Sequence, residues 1–181
     1  PPPPPAGPEG LSYLGLGAPD YAMGRGSWAE RHGGAPVIPL APLPEAADEV
    51  RAVAALYPAR GALVLTGADA NEGRLEDMAA EGSLPAYDIL HFATHGLVTG
   101  DVAGQTVLGE PALALTPGRG EDGFLTVSEI LALDLRADWV VLSACNTAVG
   151  NDPDAEALSG LAQAFFYAGA RSLMVSHWPV E

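Results

Sequence analysis

Val140-Val141-Leu142-Ser143-Ala144-Cys145-Asn146-Thr147 is an apolar run that stops at a thiol and turns polar. Ile89-Leu90-His91-Phe92-Ala93-Thr94-His95-Gly96 is a second apolar run that stops at a histidine and a glycine. Continuous short runs of this kind read as strands buried on both faces, as in a parallel sheet covered by helices. Cys145 is the only cysteine of the chain, and His95 precedes it by fifty residues. Two buried strands that each deliver one reactive side chain to their carboxyl end supply what a thiol nucleophile and its imidazole partner require.

Working outward, Leu11 to Leu16 predicts a first strand closed by Gly17-Ala18-Pro19-Asp20. Residues 23–42 carry Gly and Pro without a period and read as a surface loop. Pro44 to Tyr57 predicts a helix, with Val50, Val53, Ala54 and Tyr57 at helical spacing and Pro58 as its stop. Ala62 to Thr66 is a short strand, and Asn71 to Ala80 is an amphipathic helix with Leu75 and Met78 on one side. Tyr87 to Thr94 is the strand leading to His95, and Leu97 to Gly123 reads as irregular apart from a small strand over Ala112–Thr116. Thr126 and Glu129 form a T-x-x-E capping box that starts a short helix. Asp138 to Cys145 is the cysteine strand, Ala155 to Ala168 a helix ending at Gly169, and Ser172 to Ser176 a last strand. This alternation predicts an α/β fold with a mostly parallel sheet flanked by helices on both faces. In such sheets sites form beyond the carboxyl ends of the strands, where His95 and Cys145 both lie.

The 181 residues suffice for one domain, expected over 11–181, preceded by a Pro/Gly-rich linker or tail over 1–10. No apolar run approaches the roughly 18–20 residues of a membrane span, and no signal peptide is visible. The chain begins at Pro1 and reads as a fragment of something longer. One cysteine excludes an internal disulfide framework and fits a reducing, cytoplasmic compartment. The net charge of −15, with eight arginines and no lysine, argues against nucleic acid and anionic membranes as partners.

A free thiol ionises near pH 8.5, so little of it is thiolate at neutral pH. A neighbouring imidazole either holds a thiolate–imidazolium pair or takes the proton during attack. The oxyanion that follows needs donors, and the amides of Cys145 and Gly96 are the candidates, since Gly96 has no side chain to block a carbonyl. His91 and His95 are spaced H-x-x-x-H, but a zincin needs a helix and a glutamate after the first histidine, and Phe92 stands there. No metal or cofactor is therefore expected, and His91 reads as a hydrogen-bonded core residue. Gly15-Leu16-Gly17 lacks the further glycine and helix of a dinucleotide site. His177 reads as a core or site-lining residue, and Asp152, Asp154 and Glu156 as a solvated helix start or as acids that meet a basic substrate side chain.

The segments Asp88-Ile-Leu-His-Phe-Ala-Thr-His-Gly96, Leu142-Ser-Ala-Cys-Asn-Thr147, Gly160-Leu-Ala-Gln-Ala-Phe-Phe-Tyr-Ala-Gly-Ala-Arg-Ser172 and Ser176-His-Trp-Pro-Val180 resemble the CHAT domain, a caspase-like and separase-like family that often follows tetratricopeptide repeats. A histidine about fifty residues before the cysteine is also the caspase order. The resemblance implies a caspase/gingipain-like sandwich and a bacterial cysteine endopeptidase acting on protein or peptide substrates. It makes His95 and Cys145 the catalytic dyad and Glu156 the acidic substrate-binding position. It also implies a tetratricopeptide-repeat region in the same full-length chain as sensor. The family pattern continues with a helix and further strands, so the C-terminal part of the domain is expected beyond Glu181. The alternative is a catalytically silent interaction module on the same fold. A third reading is a small-molecule acyl hydrolase using the same dyad.

Overall fold

Strand β3 (Ile89–Leu97) lies at the centre of the molecule, and all nine of its residues are buried. The computed structural model describes residues 10–22, 40–58, 60–97, 100–102, 105–118, 121–146 and 154–176; of 100–102, 105–108, 144–146 and 154–158 it describes the backbone. β3 pairs in parallel with β1 (Tyr13–Pro19) on one side and with β8 (Trp139–Asn146) on the other. β2 (Ala62–Gly67) extends the sheet beyond β1, and β9 (Leu173–Ser176) extends it beyond β8. The parallel order is therefore β2-β1-β3-β8-β9.

β1 pairs with β3 only as far as Ala93, whereas β8 follows it through Gly96. The vacated edge at Gly96 and Leu97 is taken by β6 (Ala112–Ala114), antiparallel, with β7 (Phe124–Thr126) outside it. A separate hairpin joins β4 (Gly100–Val102) to β5 (Gln105–Leu108). The segment read as irregular thus holds three short strands, β4, β5 and β6, with β7 directly after it and the small strand expected over 112–116 ending at Ala114. Strands of three or four residues have too little length to show a period, and β6 is placed by the open edge of β3, a non-local cause.

Pleating divides the side chains between two layers. Leu14, Leu16, Leu90, Phe92, Val140 and Leu142 face a core shared with Leu75 and Met78 of α2 (Glu72–Ala80), Ile130 of α3 (Val127–Ala132) and Leu161 and Phe165 of α4 (Asp154–Tyr167). The opposite face carries α1 (Pro44–Ala54), whose Ala46 and Val50 pack on Ala93 and Val64. Helices on both faces and a mostly parallel sheet are what the alternation implied. The linker expected over residues 1–10 and the loop over 23–42 fall almost wholly outside the described residues. Among those described, no helix is long and apolar enough to cross a membrane.

α1 stops at Ala54, three residues before the expected end. Leu56 and Tyr57 donate to carbonyls three residues back, at 3.0 Å each, so the last turn tightens ahead of Pro58. Tyr57 then stacks on Tyr13 with centroids 5.6 Å apart and rings parallel to 1°. The capping box of α3 is formed, Glu129 Oε2 accepting from the Thr126 amide at 2.8 Å. Gly169 follows α4, and Ala170 donates back to Phe165 at 2.9 Å, closing the helix as expected.

Gly15 and Gly17 have packing roles rather than nucleotide chemistry. A Cβ at 15 would lie 2.6 Å from the Tyr13 hydroxyl oxygen, because the Tyr13 ring leans along the strand over that residue. A Cβ at 17 would lie 2.5 Å from the Ala46 carbonyl oxygen, so α1 approaches β1 as closely as backbone permits. Gly17→Ala should therefore lower stability by about 1–3 kcal/mol, read as a fall in thermal midpoint. An unchanged midpoint would mean that α1 moves away at no cost.

Candidate active site

His95 and Cys145 occupy partner positions on adjacent parallel strands, with Gly96 opposite Asn146 one step further. Parallel neighbours stand about 4.8 Å apart. Residues fifty apart in sequence are thereby brought side by side at the carboxyl end of the sheet. His95 lies within β3 rather than just after it, because β8 and β6 continue the pairing past it.

The His95 imidazole is 3 % exposed. Its Nε2 lies 2.8 Å from the Ala41 carbonyl oxygen. A carbonyl only accepts, so Nε2 carries a proton, and in the neutral ring the lone pair is on Nδ1. Leu40 and Leu43, on either side of Ala41, pack against Tyr21, Leu97, Ala112, Ala114 and Phe124, which holds that carbonyl in place. The Tyr21 ring lies against the imidazole, centroids 5.1 Å apart and tilted by 48°. The Tyr21 hydroxyl is 2.9 Å from Thr94 Oγ1, and Thr94 Oγ1 donates to the Ala114 carbonyl.

Four residues earlier on β3, two pleat repeats below His95, lies a second polar group. His91 is 3 % exposed, on the face that carries α1. Its Nε2 is 3.1 Å from Glu49 Oε1, so this nitrogen donates, and Tyr13 O–H donates to Nδ1 at 2.8 Å. Ser143 Oγ donates to the same Glu49 oxygen at 2.5 Å. Burial pushes His91 below the usual histidine range, opposed by the charge and hydrogen bond of Glu49. Tyr13 is pushed above the usual phenol range by burial and then by Glu49, which keeps its hydroxyl protonated. The network joins β1, β3, α1 and β8 just short of the dyad positions. His91 is thus the hydrogen-bonded core residue that its sequence context suggested.

The chain matches the family described as CHAT domain over residues 5–181. It belongs to the CHAT domain family. The CHAT family is a caspase-like peptidase family, and the fold agrees with the caspase-like sandwich. No curated protein matches the chain.

Within this CHAT domain the other expected site residues are distributed as follows. Gly96 has a strand neighbour on each side, Asn146 and Leu113. Glu156 is the third residue of α4, which connects parallel β8 to parallel β9. A crossover of that kind starts its helix near the carboxyl edge of the sheet, the edge that carries His95 and Cys145. Asp154 opens the same helix, while Asp152 and His177 lie outside the described residues. Among the described residues, no group of three or more His, Cys, Asp and Glu side chains is arranged to hold a metal ion.

Sequence reasoning missed Ala41, Tyr21, Thr94, Glu49 and Ser143. The Ala41 contact is made by a main-chain carbonyl, which every residue possesses. Tyr21 and Glu49 act across 74 and 42 residues of sequence onto His95 and His91, so no local spacing announces them.

Proposed function

We propose that this CHAT domain is a cysteine endopeptidase in which Cys145 is the nucleophile and His95 the general base and acid. The observation that carries the reading is the register of β3 and β8, which sets position 95 beside position 145. The Nε2–H bond to Ala41 supports it, because a base needs a fixed tautomer with its lone pair on the other nitrogen.

In the first half-reaction His95 takes the Cys145 thiol proton, and the thiolate attacks the scissile carbonyl carbon and forms a C–S bond. The carbonyl π pair moves onto oxygen, where the amides of Gly96 and Cys145 are the assigned donors. When the tetrahedral species collapses, the C–N bond breaks and the imidazolium gives its proton to the leaving amine. Water then attacks the thioester carbonyl as His95 takes its proton; the C–S bond breaks, the acid leaves, and the imidazolium returns the proton to the Cys145 thiolate. Glu156 is assigned to meet a basic side chain of the substrate. A tetratricopeptide-repeat region in the full-length chain is the proposed regulator of the module.

The test follows alkylation of Cys145 by mass spectrometry against pH, in the natural full-length chain and in His95→Ala. A midpoint well below about 8.5 that returns toward it in His95→Ala is the expected result. A slow thiol indifferent to His95 would overturn the enzyme reading in favour of a silent interaction module.

A further inference from the structure

We propose that the Glu49 carboxylate binds the cationic side chain of the substrate residue whose carbonyl is attacked, so that the site prefers arginine or lysine before the cut. The proposal rests on the endopeptidase reading above and names an acid on α1 beside the one assigned on α4.

Glu49 lies in the middle of α1 and reaches two strands of the sheet. Its Oε1 accepts from His91 Nε2 at 3.1 Å and from Ser143 Oγ at 2.5 Å. Two donors on separate strands hold the carboxylate in one place. His91 is buried and is itself held by the Tyr13 hydroxyl, so this anchor is firm. Among the described residues, every hydrogen bond and ion pair of Glu49 is made through Oε1. Oε2 keeps its lone pairs, and the side chain is 43 % exposed. A carboxylate with one oxygen committed and the other open is ready to accept from an ammonium or a guanidinium.

The carboxylate stands beside the proposed nucleophile. Alternate residues of a strand share a face, so positions 143 and 145 of β8 lie on the face that carries α1, as do 91, 93 and 95 of β3. Two residues of strand span about 6.6 Å. Ser176 of β9 is the register partner of Ser143, its Oγ lies 3.4 Å from Ser143 Oγ, and both serines are half-buried. Side chains this small leave room above the sheet, and their hydroxyls make its floor polar. A lysine or arginine stem has three or four methylenes, enough to cross two residues of strand and bring its charge to Oε2. The net charge of −15 draws in such a substrate and repels an acidic one.

The test measures kcat/KM of the natural full-length chain for peptides that differ only before the cut, arginine against citrulline and lysine against norleucine. The parent should prefer each cationic peptide by about tenfold or more. Glu49→Gln keeps an acceptor for His91 and Ser143 but loses the charge, and should reduce that preference about tenfold. Asp48→Asn removes the same charge from the exposed neighbouring position and should keep the preference, with thermal unfolding confirming that both variants fold. No preference in the parent, or equal falls in the two variants, overturns the role of Glu49, and the parent comparison decides this without any variant. A second readout needs no turnover: labelling of Cys145 by cationic aminoethyl methanethiosulfonate against its neutral ethyl analogue. The thiolate fraction cancels in the ratio of the two rates. If no peptide is cleaved, the endopeptidase reading fails. A labelling ratio that is level across the variants then overturns Glu49 as a cation site as well, and one that falls in Glu49→Gln alone upholds it.

Discussion

Cys145→Ala should abolish peptide-bond hydrolysis, and His95→Ala should slow it by roughly 10²–10⁴-fold, with both proteins still folded. The expectation for position 145 follows from the chemistry: alanine has no electron pair with which to form the acyl intermediate. Position 95 is different, because a thiol keeps a small thiolate fraction without its base. His95→Ala should therefore retain a residual rate that climbs with pH toward the titration of a free thiol. His95→Ala removes a buried side chain and the partner of the Ala41 carbonyl, so it lowers stability, but the strand pairing of the sheet does not depend on either side chain. Residues 95 and 145 are paired through their backbones, and the packing of β3 and β8 is carried by Leu90, Phe92, Val140 and Leu142. A panel of fluorogenic peptides and small esters, assayed as kcat/KM against pH, reads the effect. Equal hydrolysis by Cys145→Ala and the parent would remove Cys145 from the chemistry. Turnover of esters without peptides would point to a small-molecule acyl hydrolase.

Glu72→Gln should stabilise the fold at pH 8 and change little at pH 4.5. Glu72 opens α2, is 2 % exposed, and accepts from the Gly123 amide at 2.8 Å. Its pKa is pushed up from 4.5 to about 8 by burial first, then by Asp122, Glu129 and Glu121, against the hydrogen bond from Gly123. A carboxyl whose folded pKa is raised binds its proton more tightly in the native state. Its stabilising contribution is complete below pH 4.5 and is lost as pH rises through about 8. Over that window the loss is on the order of 4 kcal/mol, or roughly 10 °C in thermal midpoint for a chain of this size. Glutamine keeps an acceptor for Gly123 and cannot ionise, so the variant should lack this slope. Thermal unfolding of both proteins between pH 4.5 and 8.5 reads the difference, and parallel curves would refute it.

How much of the molecule was legible beforehand depends on the kind of cause. β3, β8 and α2 were readable because their signals are local: continuous apolar runs, a polar stop, and a helical spacing of Leu75 and Met78. The T-x-x-E box of α3 was readable for the same reason, since the side chains of Thr126 and Glu129 each accept from the other residue's amide. β6 and β7 were not readable as a pair, because what places them is the edge of β3 left open where β1 ends. His91 was legible as a core residue, but its partners Tyr13, Glu49 and Ser143 come from three other elements. Gly15 and Gly17 could be denied a nucleotide, yet their purpose appeared only when the Tyr13 ring and the Ala46 carbonyl were found against them.

The sequence by itself determined the alternating order of strands and helices, the likeness to CHAT domains, and which histidine and cysteine to weigh as a pair. Those follow from residue type and spacing, which act over a turn of helix or a length of strand. Only the tertiary structure decided that positions 95 and 145 stand in register, that the Ala41 carbonyl accepts from Nε2 of His95, and that the Tyr21 ring lies beside that imidazole. Each of those depends on groups far apart in sequence meeting at one end of a sheet, and such meetings are set by packing rather than by local preference.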